Sequence, residues 1–130
     1  MLPQTAEYAL RAVLLIAARE TQVPLSVERI AAVLHAPRNY LGKTLHQLAR
    51  AGVLASARGR SGGFCLAVAA EQLSLAAVVA PFMTPPLPAR EELAGLGERM
   101  RAVLQDTTVA ELLGPPSPTE RRRAHGSSAR

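Results

Sequence analysis

Cysteine and aromatic side chains are scarce in this 130-residue sequence. The chain has one cysteine, which excludes an intrachain disulfide and argues against a small secreted domain held together by disulfides. Aromatic residues make up 3% of the chain although 48% of it is hydrophobic, so the core must consist mainly of Leu, Val and Ala. That composition favours helices over a sheet sandwich.

The sequence also has no apolar run long enough for a membrane-spanning helix. The apolar run from Ala12 to Ala18 is bounded by Arg11 and Arg19. It is much shorter than the ~20 residues that a spanning helix needs, and the N-terminus has no signal-peptide pattern. We therefore expect a cytoplasmic protein without membrane contact.

Acidic residues are absent between Glu28 and Glu71, although the chain as a whole carries a formal charge of +5. The same stretch contains six positive side chains: Arg29, Arg38, Lys43, Arg50, Arg58 and Arg60. An ordinary solvated basic face would explain some of this charge, but ordinary surfaces mix the two signs. The pattern indicates a polyanionic partner.

The stretch from Pro37 to Leu66 predicts a helix followed by a hairpin. Leu41, Leu45 and Leu48 recur at helical spacing, and Gly52 suits the left-handed residue that ends a helix. Residues 53–57 and 64–68 then predict two short strands around a glycine- and arginine-rich tip at 58–63. A helix followed by such a ribbon is typical of a winged helix.

Further helices are predicted on both sides of this stretch. Thr5 is a candidate cap for a helix from Ala6 to about Arg19, and Ser26 for a second helix ending near Leu34, with Ile30, Val33 and Leu34 facing the core. The short link to Pro37 makes helices two and three a helix-turn-helix. A small fourth helix is predicted near 73–79.

The C-terminal third predicts a dimer helix. Residues 91–105 return to helical spacing after a proline-rich link, with an apolar stripe formed by Leu93, Leu96, Met100, Val103 and Leu104. We expect this stripe to pair with its copy in a second chain, and Thr107 or Thr108 to cap a last helix, 109–113, against that pair. The predicted organisation is a winged helix-turn-helix domain at 1–82, a linker and dimerisation helix at 83–114, and a disordered basic tail at 115–130.

Several segments resemble one bacterial family. The opening QTAEYALRAVLLIA, the block NYLGKTLHQLARAGVLASARGRSGGFCLA, and the later LSLAAVVAPF and TTVAELL are similar to the IscR/NsrR-type (Rrf-two) winged helix-turn-helix transcription regulators. The resemblance covers roughly 2–113, and its most specific part is the wing RGRSGG after LARAGVL. It implies a homodimer, acting as a repressor or an activator, that binds a palindromic operator in double-stranded DNA.

The resemblance also implies which residues contact DNA. The reading helix would use Arg38, Asn39, Tyr40, Lys43 and His46; the wing would use Arg58, Arg60, Ser61, Gly62 and Gly63; and helix one would contact the backbone through Thr5 and Arg11. Two of these have plainer alternatives, since Tyr40 is equally suited to the core or a hinge and Asn39 to capping a turn. Gly42 departs from the longer side chain often found in relatives.

Cofactor binding is where the sequence departs most from well-studied relatives. They hold an iron-sulfur cluster with three cysteines between helix four and the dimer helix, and residues 81–98 contain none. Glu7 matches a position that some relatives use as a ligand, and His35 lies near a position that one relative uses. Without thiolates we interpret both as surface residues and expect no cofactor. Cys65 is interpreted as a small strand residue, with a redox role beside the DNA as the alternative.

These observations predict a DNA-binding regulator and not an enzyme, because no nucleophile motif, phosphate loop or metal-ligand set is present. An effector, if one exists, would bind between the reading head and the dimer helix, and its identity is unknown. The alternative from another class is a winged-helix scaffold whose basic wing binds an acidic protein.

Overall fold

The computed structural model describes residues 2–19, 23–58, 62–83 and 91–114, except for the side chains of 91–94 and 96. Over these ranges the chain is mainly helical with a small hairpin, as the sequence predicted. The elements in order are α1 (Gln4–Ala17), α2 (Val27–Leu34), α3 (Arg38–Arg50), β1 (Leu54–Ala57), β2 (Gly63–Leu66), α4 (Leu75–Val79), α5 (Glu91–Asp106) and α6 (Val109–Leu113), with 3-10 turns at Ala70–Gln72 and Ala80–Phe82. None of the described helices is long and apolar enough to cross a membrane.

Side-chain caps account for where several helices begin. The Ser26 hydroxyl accepts a hydrogen bond from the Arg29 amide at 3.2 Å, and the Thr108 hydroxyl accepts one from the Glu111 amide at 3.1 Å. The cap at Ser26 was predicted, and Thr108 was one of the two candidates for the cap of the last helix. Each hydroxyl satisfies an amide that has no partner within the helix. The predicted cap at Thr5 is wrong. Helix α1 begins at Gln4, two residues before the predicted start at Ala6, and follows Pro3, which forms no side-chain cap.

Helix α2 buries a different face from the one predicted. Ile30, Ala31 and Leu34 are buried, whereas Val33 is 51% exposed. At 100° per residue, Ile30, Ala31 and Leu34 cluster on one side of the helix and Val33 lies more than a quarter turn away from their centre. The small Ala31 therefore occupies the core position that the larger Val33 was expected to fill.

The hairpin is held against the helices in two places, at the start of β1 and along the outer edge of β2. Gly52, with φ of 82°, provides the left-handed turn between α3 and β1. Strand β1 then pairs antiparallel with β2, so that Leu54 lies opposite Leu66 and Ala57 opposite Gly63. On its other edge β2 meets the α1–α2 connection, where Leu25 and Phe64 exchange two backbone hydrogen bonds of 2.9 Å.

One apolar core joins the helices, the hairpin and the last helix. Its side chains with no measurable exposure include Val13, Ile30, Leu41, Leu45, Leu48, Val78 and Val109. Val109 belongs to α6, whose first amide donates to the Leu73 carbonyl at 2.8 Å, while the Leu75 amide donates to the Thr107 carbonyl at 2.9 Å. We predicted that α6 packs on a pair of dimer helices, but within one chain it packs on α1 and the 70–72 turn.

Candidate nucleic-acid interface

Helix α3 has one apolar face and one polar face. Leu41, Leu45, Leu48 and the neighbouring Thr44 are buried, and Thr44 also donates its hydroxyl hydrogen to the Tyr40 carbonyl at 3.2 Å. The opposite face is exposed and consists of Arg38, Asn39, Lys43, His46, Gln47 and Arg50. Because the leucines hold the helix to the core, the exposed side chains are presented by a fixed support. An exposed helix face of this kind fits the major groove of DNA.

Arg38, at the first position of α3, is paired with Glu28 in the first turn of α2. Arg38 Nη2 lies 2.6 Å and Arg38 Nε lies 2.7 Å from Glu28 Oε1, and both side chains are 61% exposed. The pKa of Glu28 is lowered, mainly by its own backbone N–H and then by the hydrogen bond from Arg38. The carboxylate is therefore ionised at neutral pH.

A polar cleft separates α3 from the wing. It has a volume of about 560 Å³, and its lining includes Glu28, Arg38, His46, Arg58, Gly62 and Phe64. Arg58, which follows β1, is exposed. The predicted wing residues Arg60 and Ser61 lie outside the described residues. The cleft brings together three cationic or titratable side chains from the reading helix and the wing, as an interface with one duplex requires.

Gly63 has a packing role that the sequence did not show. A Cβ atom at this position would lie 2.4 Å from the Leu25 carbonyl oxygen. Residue 63 must therefore lack a side chain if β2 is to pair with the α1–α2 connection. Gly63 was predicted as a DNA contact through its amide, and its position next to Leu25 gives a sufficient structural reason for the glycine.

His46 and Tyr40 are held by aromatic neighbours. The His46 ring contacts the buried Phe64 ring edge-on, with centroids 5.3 Å apart, which fixes His46 at the base of the wing. Tyr40 is 38% exposed, meets the Tyr8 ring at 5.8 Å, and shares a hydrogen bond between its hydroxyl and that of Thr5. Thr5 and Tyr40 thus join α1 to α3 through their side chains.

The other predicted contacts on this side are exposed. Arg11 lies on the solvent face of α1, and Asn39 and Lys43 lie on the outer face of α3. Asn39 does not cap α3, because it is the second residue of that helix and Pro37 occupies the cap position. The structure therefore brings Arg38, His46 and Arg58 together in the cleft and leaves Arg11 apart from it.

Cys65 lies in the hairpin, away from the fully buried core. Its side chain is partly exposed, and its sulfur lies 3.8 Å from the Ala55 carbonyl oxygen across the strand pair. Phe64, its neighbour, is 3% exposed and Leu66 is only partly buried. Of these two neighbours of Cys65, therefore, only Phe64 belongs to the fully buried core.

The apolar stripe of α5 is only partly covered. Leu104 packs against the core, whereas Met100 is 38% and Val103 is 61% exposed. These three residues, together with Leu2, Glu7 and Arg99, line a groove of about 680 Å³ between α5 and the start of α1. The side chains of Leu93 and Leu96, also predicted for the dimer interface, lie outside the described residues. Sequence reasoning missed the contribution of Leu2, which no periodicity could reveal.

The described chain is thus a winged helix-turn-helix with a polar cleft beside α3, the architecture of a DNA-binding regulator. Comparison with known proteins gives the family: residues 2–91 match the Rrf2 family, described as an iron-dependent transcriptional regulator, and the chain belongs to it. This confirms the resemblance drawn from the sequence. Members similar to this chain are transcription regulators and not enzymes.

Two curated relatives show how far the sequence similarity extends. An rrf2-like HTH-type transcriptional regulator of Rhodobacter capsulatus is 39% identical over 93 residues, which cover 68% of this chain and 62% of that protein. NsrR of Halalkalibacterium halodurans is 33% identical over 73 residues, which cover 56% of this chain and 50% of that protein. The chain therefore matches one half to three fifths of the length of these relatives.

Solved structures extend the likeness to most of the fold. CymR of Staphylococcus aureus in its oxidised form is 26% identical, with a TM-score of 0.74 over 90% of this chain and 98% of that one. IscR of T. potens is 21% identical, with a TM-score of 0.72 over 87% of this chain and 85% of that one, and shows the fold alone.

Iron, which the family description mentions, does not fit the residues present. A cluster needs about four ligands close together, usually thiolates, and each chain has one cysteine. Within the described ranges no three His, Cys, Asp or Glu side chains are grouped so that they could hold a metal ion. Glu7 is exposed in the first turn of α1, and His35 is exposed at the left-handed C-cap of α2. Both positions agree with the surface interpretation of these residues.

Proposed function

We propose that this Rrf2-family protein is a homodimeric, sequence-specific repressor of the IscR/NsrR type that works without an iron-sulfur cluster. The observation that supports this most is the polar cleft, in which Arg38 and His46 of α3 lie beside Arg58 of the wing. A helix of this kind reads base edges in the major groove while the wing contacts phosphates. In this proposal the protein acts in the cytoplasm, where bacterial DNA lies.

The proposed contacts divide into two classes. Arg38, Asn39 and Lys43 are exposed at the start of α3, where side chains reach bases, and His46 follows one turn later. Arg58, Gly62 and Gly63 of the described wing, with Arg60 and Ser61 between them in the sequence, are assigned to the DNA backbone. Arg11 and the linked pair Thr5 and Tyr40 are assigned to phosphates beside α1.

Dimer formation is proposed from the uncovered apolar surface of α5. Met100 and Val103 expose side chains that one chain does not bury, and the groove beside them is largely apolar. In this proposal residues 1–82 form the DNA-binding domain, 83–114 provide the link and the dimer helix, and the basic tail 115–130 adds non-specific attraction to DNA. Twofold symmetry then requires a palindromic operator.

The test begins with selection of DNA fragments from a random library by the purified protein, followed by binding titrations at several salt concentrations. We expect enrichment of a palindrome and an affinity that falls steeply as salt increases, because bound phosphates release counterions. A scrambled duplex of equal composition is the control, and we expect it to bind at least about a thousandfold more weakly.

The alternative function is a winged-helix scaffold that binds an acidic protein, and a negative result in this experiment would favour it. If the native protein enriches no sequence, or if its binding to DNA does not change with salt, the regulator proposal fails. Transcription from the enriched promoter, measured with and without the protein, then separates repression from activation.

A further inference from the structure

Glu28 is an unexpected residue on a surface that is proposed to bind DNA. It lines the same cleft as Arg38, His46 and Arg58, and no acidic residue follows it in the sequence until Glu71. A carboxylate close to phosphates weakens DNA binding through repulsion. Its presence in the cleft therefore calls for a compensating role.

The contact geometry with Arg38 indicates that role. Nε and Nη2 of the guanidinium both bind the same oxygen, Glu28 Oε1, at 2.7 and 2.6 Å. A guanidinium has five N–H donors in a planar fork, so these two bonds occupy one edge and leave the edge formed by Nη1 and Nη2 with free hydrogens. The pairing of arginine with guanine needs two such parallel donors.

We propose that Glu28 is a positioning residue that holds Arg38 so that its free guanidinium edge reads the N7 and O6 atoms of a guanine in the operator. This inference depends on the proposed DNA-binding function. Arg38 belongs to the first turn of α3, the part of a reading helix closest to base edges, and Glu28 reaches it from the first turn of α2. The two helices of the helix-turn-helix thus cooperate in one base contact.

The exposure of the pair fits positioning better than fold stability. Both side chains are 61% exposed, and exposed ion pairs contribute little to folding. A free arginine loses considerable side-chain entropy when it is immobilised against a base, and a partner that restrains it in advance reduces that loss. Glu28 therefore increases affinity for the cognate base and decreases affinity for DNA in general.

These opposite effects make the inference testable. Binding of fluorescently labelled duplexes is measured for the native protein, Glu28→Ala, Glu28→Gln, Arg38→Ala and the Glu28→Ala/Arg38→Ala double variant at one salt concentration. Each is titrated with the selected operator and with a scrambled duplex. Glu71→Ala, an exposed acid outside the cleft, is the control for the change of charge.

We expect Glu28→Ala to weaken operator binding by about tenfold, the lower end of what a bidentate base contact contributes, and to leave scrambled DNA equally or more tightly bound. Arg38→Ala loses at least as much on the operator, and the double variant binds it no more weakly than Arg38→Ala. Glu28→Gln, which keeps the acceptor oxygen without the charge, falls between native and Glu28→Ala. Operators with 7-deazaguanine, which lacks N7, weaken the native protein at one guanine per half-site and do not weaken Arg38→Ala further.

Equal strengthening of both duplexes by Glu28→Ala would show that Glu28 only repels DNA and would overturn the inference while leaving the regulator function intact. Unchanged operator binding, or the absence of any guanine sensitive to 7-deaza substitution, would overturn it in the same way. Failure of the native protein to select any DNA would overturn both this inference and the proposed function. Thermal unfolding of each variant checks that the exposed substitutions leave the fold intact.

Discussion

Helices α3 and α5 are both amphipathic, but they differ in what the single chain covers. The three leucines of α3, Leu41, Leu45 and Leu48, are fully buried, and its polar face is exposed. In α5, by contrast, Met100 and Val103 are exposed, and the rest of the chain covers Leu104 only in part. The comparison indicates two kinds of partner: a polar, anionic surface for α3 and an apolar surface for α5.

The strongest test of this contrast is a charge on the apolar face of α5. We expect Val103→Glu to abolish the proposed dimer at micromolar concentration, because the interface would have to bury an unpaired carboxylate. Sedimentation velocity gives the oligomeric state. Gln105→Glu adds the same charge elsewhere on the exposed surface of α5 and is the matched control, which stays dimeric. A dimer that survives Val103→Glu would remove α5 from the interface.

The next largest effect concerns the support of the wing. Gly63→Ala would place a Cβ atom against the Leu25 carbonyl, so that β2 has to move and its two hydrogen bonds to Leu25 are strained or lost. We expect a loss of about 2 to 4 kcal/mol in the free energy of unfolding, measured by urea denaturation. Gly62→Ala, next to it in the chain, is the control. If Gly63→Ala retains native stability, the close contact between β2 and the Leu25 backbone is wrong.

A smaller effect distinguishes the two classes of DNA contact. Arg58→Ala, and likewise Arg60→Ala, is expected to weaken all duplexes alike and to lower the slope of log affinity against log salt by about one per half-site. Lys43→Ala is expected to relax sequence choice as well, by ~1 to 3 kcal/mol. Arg101→Ala, on α5, controls for loss of charge. If the Arg58 and Lys43 variants showed the same salt slope and the same sequence preference, the division into backbone and base contacts would be contradicted.

The smallest expected effect is at Cys65. Its sulfur faces the Ala55 carbonyl and its side chain is partly covered, so we expect Cys65→Ser to bind the operator as the native protein does. Titrations with and without peroxide check the redox alternative. A peroxide response in the native protein that Cys65→Ser lacks would replace our interpretation with that alternative.

Much of the fold was predictable because it depends on local chemistry. Ser26 and Thr108 cap the helices that follow them, and Gly52 adopts the left-handed turn that its position indicated. Val33 was misassigned because an eight-residue helix with apolar residues on several sides does not define one buried face. Periodicity gives the spacing of a stripe but not its orientation relative to neighbouring elements.

The candidate site was predictable as a set of residues but not as an arrangement. Charge and glycine content indicated Arg38 and Arg58, whereas the pair between Glu28 and Arg38 joins residues on two helices ten positions apart. The reason for Gly63 likewise depends on Leu25, a distant residue that only the tertiary fold brings near. Contacts of this kind arise from the packing of elements, which a single sequence does not specify.

Whether two chains share one operator is measured by the stoichiometry of the complex on a selected operator, determined by sedimentation of labelled DNA with increasing protein. Our expectation is two chains per palindrome, with Val103→Glu failing to form this complex at the same concentration and Gln105→Glu forming it. Saturation at one chain per duplex, or a two-chain complex that Val103→Glu forms as readily as the native protein, would contradict it.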